Sequence, residues 1–177
     1  MKNIVLIGFM GSGKSSVGKR LAKKVNMHYI DTDEEIEKLV GKSISKIFYE
    51  DGEILFRSEE TSVLKKLLNK DKFIISTGGG IVLKSENVEL IKKMGIVIYL
   101  AAAPQIIYSR LKSNIRNRPL LYSHAKTERE LINRIEHLMK ERKNAYDIAD
   151  IVVDTSNYTI DEVVNKIISK IRERKAI

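Results

Sequence analysis

Apolar residues fall along this chain in two alternating rhythms. Short runs, mostly β-branched, occupy 3–7, 28–30, 73–76, 96–100 and 151–153. Runs without polar alternation predict strands buried on both faces. Between them, apolar positions recur every three or four residues, as at Val17, Leu21 and Val25. That spacing predicts helices over 15–25, 32–39, 43–48, 53–68, 87–94 and 104–112. A long helix from 127 to about 146 follows, and a last one opens at Thr159. Thr32 with Glu35, Thr127 with Glu130 and Thr159 with Glu162 are spaced as capping boxes. Pro104 suits a first helical turn, and Gly95 a helix stop. Strands alternating with helices predict an α/β fold: three α/β/α layers around a five-stranded parallel sheet. Ligands of such sheets bind beyond the carboxyl ends of the strands, so the loops after the first three strands are where chemistry is expected. The interval 111–126 lacks an apolar period and holds Arg116, Arg118 and Pro119. It is expected to be a lid.

Length and composition narrow this picture. The 177 residues suffice for one domain, and no Pro/Gly/Ser linker divides them. There are no cysteines, which excludes disulfides, thiolate metal sites and cysteine nucleophiles. The longest apolar runs, 4–10 and 96–103, are far short of the roughly 20 residues that span a bilayer. No leader pattern precedes the first run, so a cytoplasmic protein without membrane contact is expected. The formal charge of +9 points to anions without choosing among them. Glycine is more selective. Six of the ten glycines lie in two clusters, at 8, 11 and 13 and at 78–80. Glycine is costly in ordered structure unless the backbone needs unusual angles or close approach.

The first cluster reads Gly8-Phe9-Met10-Gly11-Ser12-Gly13-Lys14-Ser15 and matches G-x-x-x-x-G-K-[ST] without a mismatch. It follows a strand and opens a helix, the context the motif requires. Backbone N–H groups converge there on phosphate oxygens, aided by the helix N-terminus. Lys14 reaches the β- and γ-phosphates, and Ser15 can ligate Mg²⁺. A purine nucleotide triphosphate, ATP, is the expected ligand. Asp31-Thr32-Asp33 ends the second strand. One reading is purely structural, with Thr32 as N-cap and Asp33 complementing the helix dipole. The other gives a carboxylate that holds a Mg²⁺ water or accepts a hydroxyl proton. The strand before Gly78 carries no terminal aspartate, so the usual second metal acid is missing there and Asp31 is the nearest candidate.

Leu131, Ile135 and Leu138 form an apolar stripe whose next position is Arg142. A guanidinium on a buried face needs an anion, either a structural carboxylate or a bound acid. Arg57 flanks the stripe of its own helix, and an i,i+4 pair with Glu53 would account for it. Gly78-Gly79-Gly80 leaves bare backbone after the third strand, suited to close approach of a small ligand.

The combination resembles shikimate kinase: GFMGSGKSS at 8–16, DTD at 31–33, FR at 56–57, GGG at 78–80, RPLL at 118–121, and Arg142 near Tyr146. These segments occur in family order over nearly the whole chain. The DTD, FR and GGG set separates it from adenylate and gluconate kinases, which share the phosphate loop. The resemblance implies a P-loop kinase fold over 1–177, with a substrate-binding region at 32–62 and a mobile lid. It implies transfer of the ATP γ-phosphoryl to the 3-hydroxyl of shikimate, in aromatic amino-acid biosynthesis. Gly11, Ser12, Gly13, Lys14, Ser15 and Ser16 would then bind ATP. Asp33 would hold the shikimate hydroxyls and accept the proton. Arg57 and Arg142 would hold the carboxylate, with Gly79 and Gly80 contacting substrate through backbone N–H. Ser15 and Asp31 would serve Mg²⁺, Arg118 would reach the transferring phosphoryl from the lid, and Arg110 would stack on adenine. The family's frequent basic residue after strand five is replaced here by Asp154-Thr155-Ser156-Asn157-Tyr158, which leaves the adenine contacts open. A monomer is expected. The alternatives are a P-loop kinase for another hydroxy acid or a nucleoside monophosphate, an inactive kinase-like binding module, and a nucleic-acid-binding ATPase. The last fits poorly with 6% aromatics and no tryptophan.

Overall fold

The computed structural model describes residues 2–113, 121 and 127–175. Five strands, β1 (Asn3–Ile7), β2 (His28–Asp31), β3 (Phe73–Ser76), β4 (Gly95–Ala101) and β5 (Ile151–Asp154), form one parallel sheet. Their order is β2-β3-β1-β4-β5. The chain leaves β1 towards one edge and later returns to build the other. The crevice beyond the carboxyl end of β1 is therefore the topological switch point, where ligands of open α/β sheets bind.

Eight α-helices lie among the described residues: α1 (Lys14–Val25), α2 (Thr32–Val40), α3 (Ile44–Glu50), α4 (Gly52–Leu67), α5 (Ser85–Met94), α6 (Pro104–Leu111), α7 (Glu128–Arg142) and α8 (Ile160–Lys175). Side chains of β1 alternate between the two faces of the sheet, as the pleat demands. Val5 and Ile7 join Ile75 and Val97 in a core with Leu64, Ile91 and Tyr146. Ile4 and Leu6 join Ile74 and Ile98 in a second core with Leu21, Val164 and Ile167. A third, smaller cluster packs Phe9 with Ile107, Leu111, Leu121, Ile135 and Leu138. It ties α6 and α7 to the phosphate loop.

Two differences from the expected boundaries bear on the site. The long helix expected from 127 does not run to 146. It ends at Arg142, and a 3₁₀ turn, Asn144–Ile148, follows. The apolar period continues through Tyr146, so hydrophobicity alone does not mark the stop. Tightening to 3₁₀, a common way to finish a helix, carries the Tyr146 ring onto Tyr99, with centroids 4.6 Å apart. At the second boundary the N-cap of α2 is Asp31 rather than Thr32. Asp31 Oδ1 accepts the Asp33 N–H at 3.1 Å. The Thr32 hydroxyl is used elsewhere, and its Oγ1 accepts the Gly78 N–H at 3.0 Å. The capping boxes at Thr127–Glu130 and Thr159–Glu162 are both formed.

Candidate active site

Beyond the carboxyl ends of β1, β2 and β3 lies a cavity of about 610 Å³. Its lining includes the loop from Met10 to Ser16, the turn at Thr77–Gly80, Asp31, Asp33, Arg57, Glu60, Arg110 and Arg142. Every site residue expected from the sequence is brought into this cavity except Arg118, which lies outside the described residues.

The phosphate loop owes its path to its glycines. Gly11 and Gly13 have φ of +77° and +99°, which side-chain-bearing residues rarely adopt. Gly13 is the N-cap of α1, so the first turn of that helix opens onto the cavity. Lys14 is 7% exposed, and its Nζ donates to Gly8 O at 2.8 Å and to Phe9 O at 3.0 Å. The ammonium is thus tethered beneath the loop's own carbonyls. The Ser12 hydroxyl is buried and has no hydrogen-bond partner among the described residues. A buried polar group left in that state is costly.

Beside the loop, Ser15 Oγ donates to Asp31 Oδ2 at 2.8 Å, and the Tyr29 hydroxyl donates to the same oxygen at 3.0 Å. Burial, helped by the Asp31 charge, pushes the Tyr29 phenol up, so it stays a donor. A hydroxyl and a carboxylate in contact are a hard-oxygen pair. Mg²⁺ at phosphoryl-transfer sites takes one or two such protein ligands and fills the remainder with phosphate and water. The donor set fits that ion.

The other half of the cavity is built around the glycine triplet. Arg142 is 5% exposed, stacks over Phe9 at 5.3 Å and donates from Nη1 to Gly79 O at 3.4 Å. Among the described residues no Asp or Glu is paired with it. Of the two partners the sequence left open, a structural carboxylate is not the one found. Tyr146 OH donates to the same Gly79 carbonyl at 2.9 Å. Arg57 does form the pair with Glu53 expected from spacing, at 2.7 Å, but it also pairs with Glu60 at 2.8 Å. Burial opposes its charge, yet the two carboxylates outweigh that and hold its pKa above normal. A side chain at Gly80 would meet the Arg57 guanidinium at 2.8 Å. The two arginines therefore flank consecutive glycines.

Sequence reasoning missed Glu60. It is wholly buried, and burial outweighs the Arg57 charge, raising its pKa to about 7. Its Oε1 has no hydrogen-bond partner among the described residues. A Cβ at Gly78 would lie 2.9 Å from Glu60 Oε1 and 2.7 Å from Asp33 Oδ1. The first glycine of the triplet thus makes room for two carboxylates. The signal was present in the sequence. Phe56, Glu60, Leu64 and Leu67 fall on one helical stripe, the same test that singled out Arg142.

The family model described as shikimate kinase matches residues 10–172. The chain belongs to the shikimate kinase family. It is 49% identical over 177 residues to a shikimate kinase of Pelotomaculum thermopropionicum, covering 100% of this chain and 99% of the relative. It is 43% identical over 174 residues to one of Desulforudis audaxviator, covering 98% and 88%. Among solved structures it resembles shikimate kinase from Acinetobacter baumannii in complex with shikimate, with a TM-score of 0.91 and 33% identity over 99% and 95% of the two chains. The shikimate kinase family catalyses ATP-dependent phosphorylation of shikimate, a phosphotransfer to an alcohol. The parallel sheet and its phosphate loop are those of this kinase fold.

Proposed function

We propose that this chain transfers the γ-phosphoryl of ATP to the 3-hydroxyl of shikimate, with the roles that follow. The observation that carries the reading is the pair of guanidiniums, Arg57 and Arg142, beside Gly79 and Gly80 in the cavity that the phosphate loop also lines. A bound carboxylate would give Arg142 the anion it lacks and add a charge-assisted hydrogen bond beside Arg57, which already pairs with Glu53 and Glu60. That would seat a small hydroxy acid with its ring towards the triphosphate.

Backbone amides of Gly11, Ser12 and Gly13, with Lys14 and the hydroxyls of Ser15 and Ser16, hold the triphosphate. Arg110 contacts the nucleotide on its purine side. Ser15 and Asp31, directly or through water, would hold Mg²⁺, which would neutralise charge on the phosphate oxygens. Asp33 orients the shikimate hydroxyls and takes the proton of the attacking one. The new O–P bond forms as the bond from the γ-phosphorus to the β–γ bridging oxygen breaks, and ADP carries that electron pair away. Arg118, from the lid about 111–126, neutralises charge on the phosphoryl in flight. Closure of that lid excludes water and suppresses ATP hydrolysis. Residues 32–62 form the substrate-binding region and contribute Asp33 and Arg57 to the acid-binding half. The enzyme acts as a cytoplasmic monomer without nucleic acid or membrane. The described residues contain no helix long and apolar enough to cross a membrane. An ADP-release assay with shikimate, gluconate and AMP as acceptors tests the reading. Release driven by gluconate or AMP in preference to shikimate would overturn it.

A further inference from the structure

We infer that Thr155 is a positioning residue for the phosphate loop, acting through its hydroxyl on the Ser12 carbonyl and on Arg110. Thr155 lies just past β5 and is 2% exposed. Its Oγ1 lies 3.1 Å from Ser12 O and 3.1 Å from Ala101 O, and it accepts from Arg110 Nη1 at 3.0 Å. The hydroxyl has one proton to give. Ala101 O already receives the Thr155 N–H at 2.8 Å, and the hydroxyl proton is assigned to Ser12 O, the acceptor on the phosphate loop. Arg110 closes the cluster. Its Nη2 donates to Thr155 O at 2.6 Å, and its Nη1 also reaches Gly11 O at 3.3 Å and Ser12 O at 3.4 Å.

Carbonyls and amides of a trans peptide point in opposite directions. Fixing Ser12 O on Thr155 therefore fixes the direction of the Gly13 N–H, on a residue that lines the cavity. The loop's positive φ angles make its peptides easy to turn without such a tether. Among the described residues the hydrogen bonds of Thr155 go to Ser12, Ala101 and Arg110 and none to the acid-binding residues, so its effect is expected on nucleotide. Arg110 is accordingly held by the loop it would serve, rather than projecting alone towards a base.

The inference rests on the ATP-binding reading, so its test uses ADP binding, which does not depend on the acceptor. Calorimetry on the full chain compares Thr155→Val, which keeps the methyl and loses the hydroxyl, with Thr155→Ser, which does the reverse. Loss of the hydroxyl is expected to weaken ADP about tenfold, the scale of one or two lost hydrogen bonds. The serine variant should stay within about twofold of the parent on the same scale. The shikimate KM should move little in either, while the thermal midpoint should fall by a few degrees in the valine variant, which leaves Arg110 Nη1 without its buried hydroxyl partner. Should the valine variant not fold, Thr155→Ala takes its place against the serine variant. Unchanged ADP affinity without the hydroxyl overturns the inference. Equal weakening in the serine variant also overturns it, since packing would then be the cause. A parallel rise in the shikimate KM does so too, since the role would then be general to the fold. Failure of the parent to bind ADP at all would instead overturn the nucleotide reading beneath it.

Discussion

Arg142 is a buried cation with no Asp or Glu partner among the described residues. It continues the apolar stripe of α7, is 5% exposed, and donates only weakly, at 3.4 Å, to Gly79 O. Removing one partner of a buried charge pair costs about 2–5 kcal/mol, so Arg142→Ala should raise the shikimate KM about 30-fold or more. Steady-state kinetics would check this, and an unchanged KM would make the arginine structural. Gly78 makes a second prediction from contact distances alone. A methyl there would press on Asp33 and Glu60, at 2.7 and 2.9 Å. Gly78→Ala should therefore lose turnover while binding ADP normally, and a variant with full kcat would remove that constraint. Arg118→Ala should lower kcat about 10³-fold, as for other arginines that act on the phosphoryl in flight. Shikimate binding, measured by calorimetry, should be spared. Of these residues, Arg142 was legible as a charge on an apolar stripe. The role of Gly78 was not, because the collision it avoids involves residues 33 and 60, brought together only by the fold.

Among the elements, alternation of strand and helix was legible because each has its own hydrophobic period. The ends were less so. Asp31 took the cap from Thr32 because the Thr32 hydroxyl is engaged by the Gly78 amide across to the β3 loop. A tertiary contact decided a local choice. The capping box at Thr127–Glu130 did form, and Thr127→Ala should cost about 1 kcal/mol of stability, read by denaturant melts. The element α4 carries a pH dependence. Glu60 titrates near 7 in the fold but near the ordinary glutamate value of about 4.3 when unfolded. Between those values the folded chain binds more protons, so stability falls as pH rises and levels off above about 7. Thermal midpoints of the ligand-free chain should show this decline, and Glu60→Gln should flatten it. A decline that survives the substitution would assign it to other groups.

For the whole molecule, the net charge of +9 was the broadest clue and the least specific. Most of the basic residues serve outer faces, as do Lys19, Lys38 and Lys46 in exposed ion pairs, which contribute little. The few that matter converge because the strand order β2-β3-β1-β4-β5 puts the loops after β1, β2 and β3 at one crevice. That convergence was foreseeable from the β/α alternation, although the strand order was not, since no local pattern encodes which strands become neighbours. In that crevice, on the function proposed, ATP would be coupled to a small hydroxy acid held by Arg57 and Arg142. A coupled ADP-release assay with and without shikimate probes this coupling at its root. Rapid release that depends on shikimate is expected, with little hydrolysis in its absence. ADP release at the same rate without shikimate would contradict the coupling.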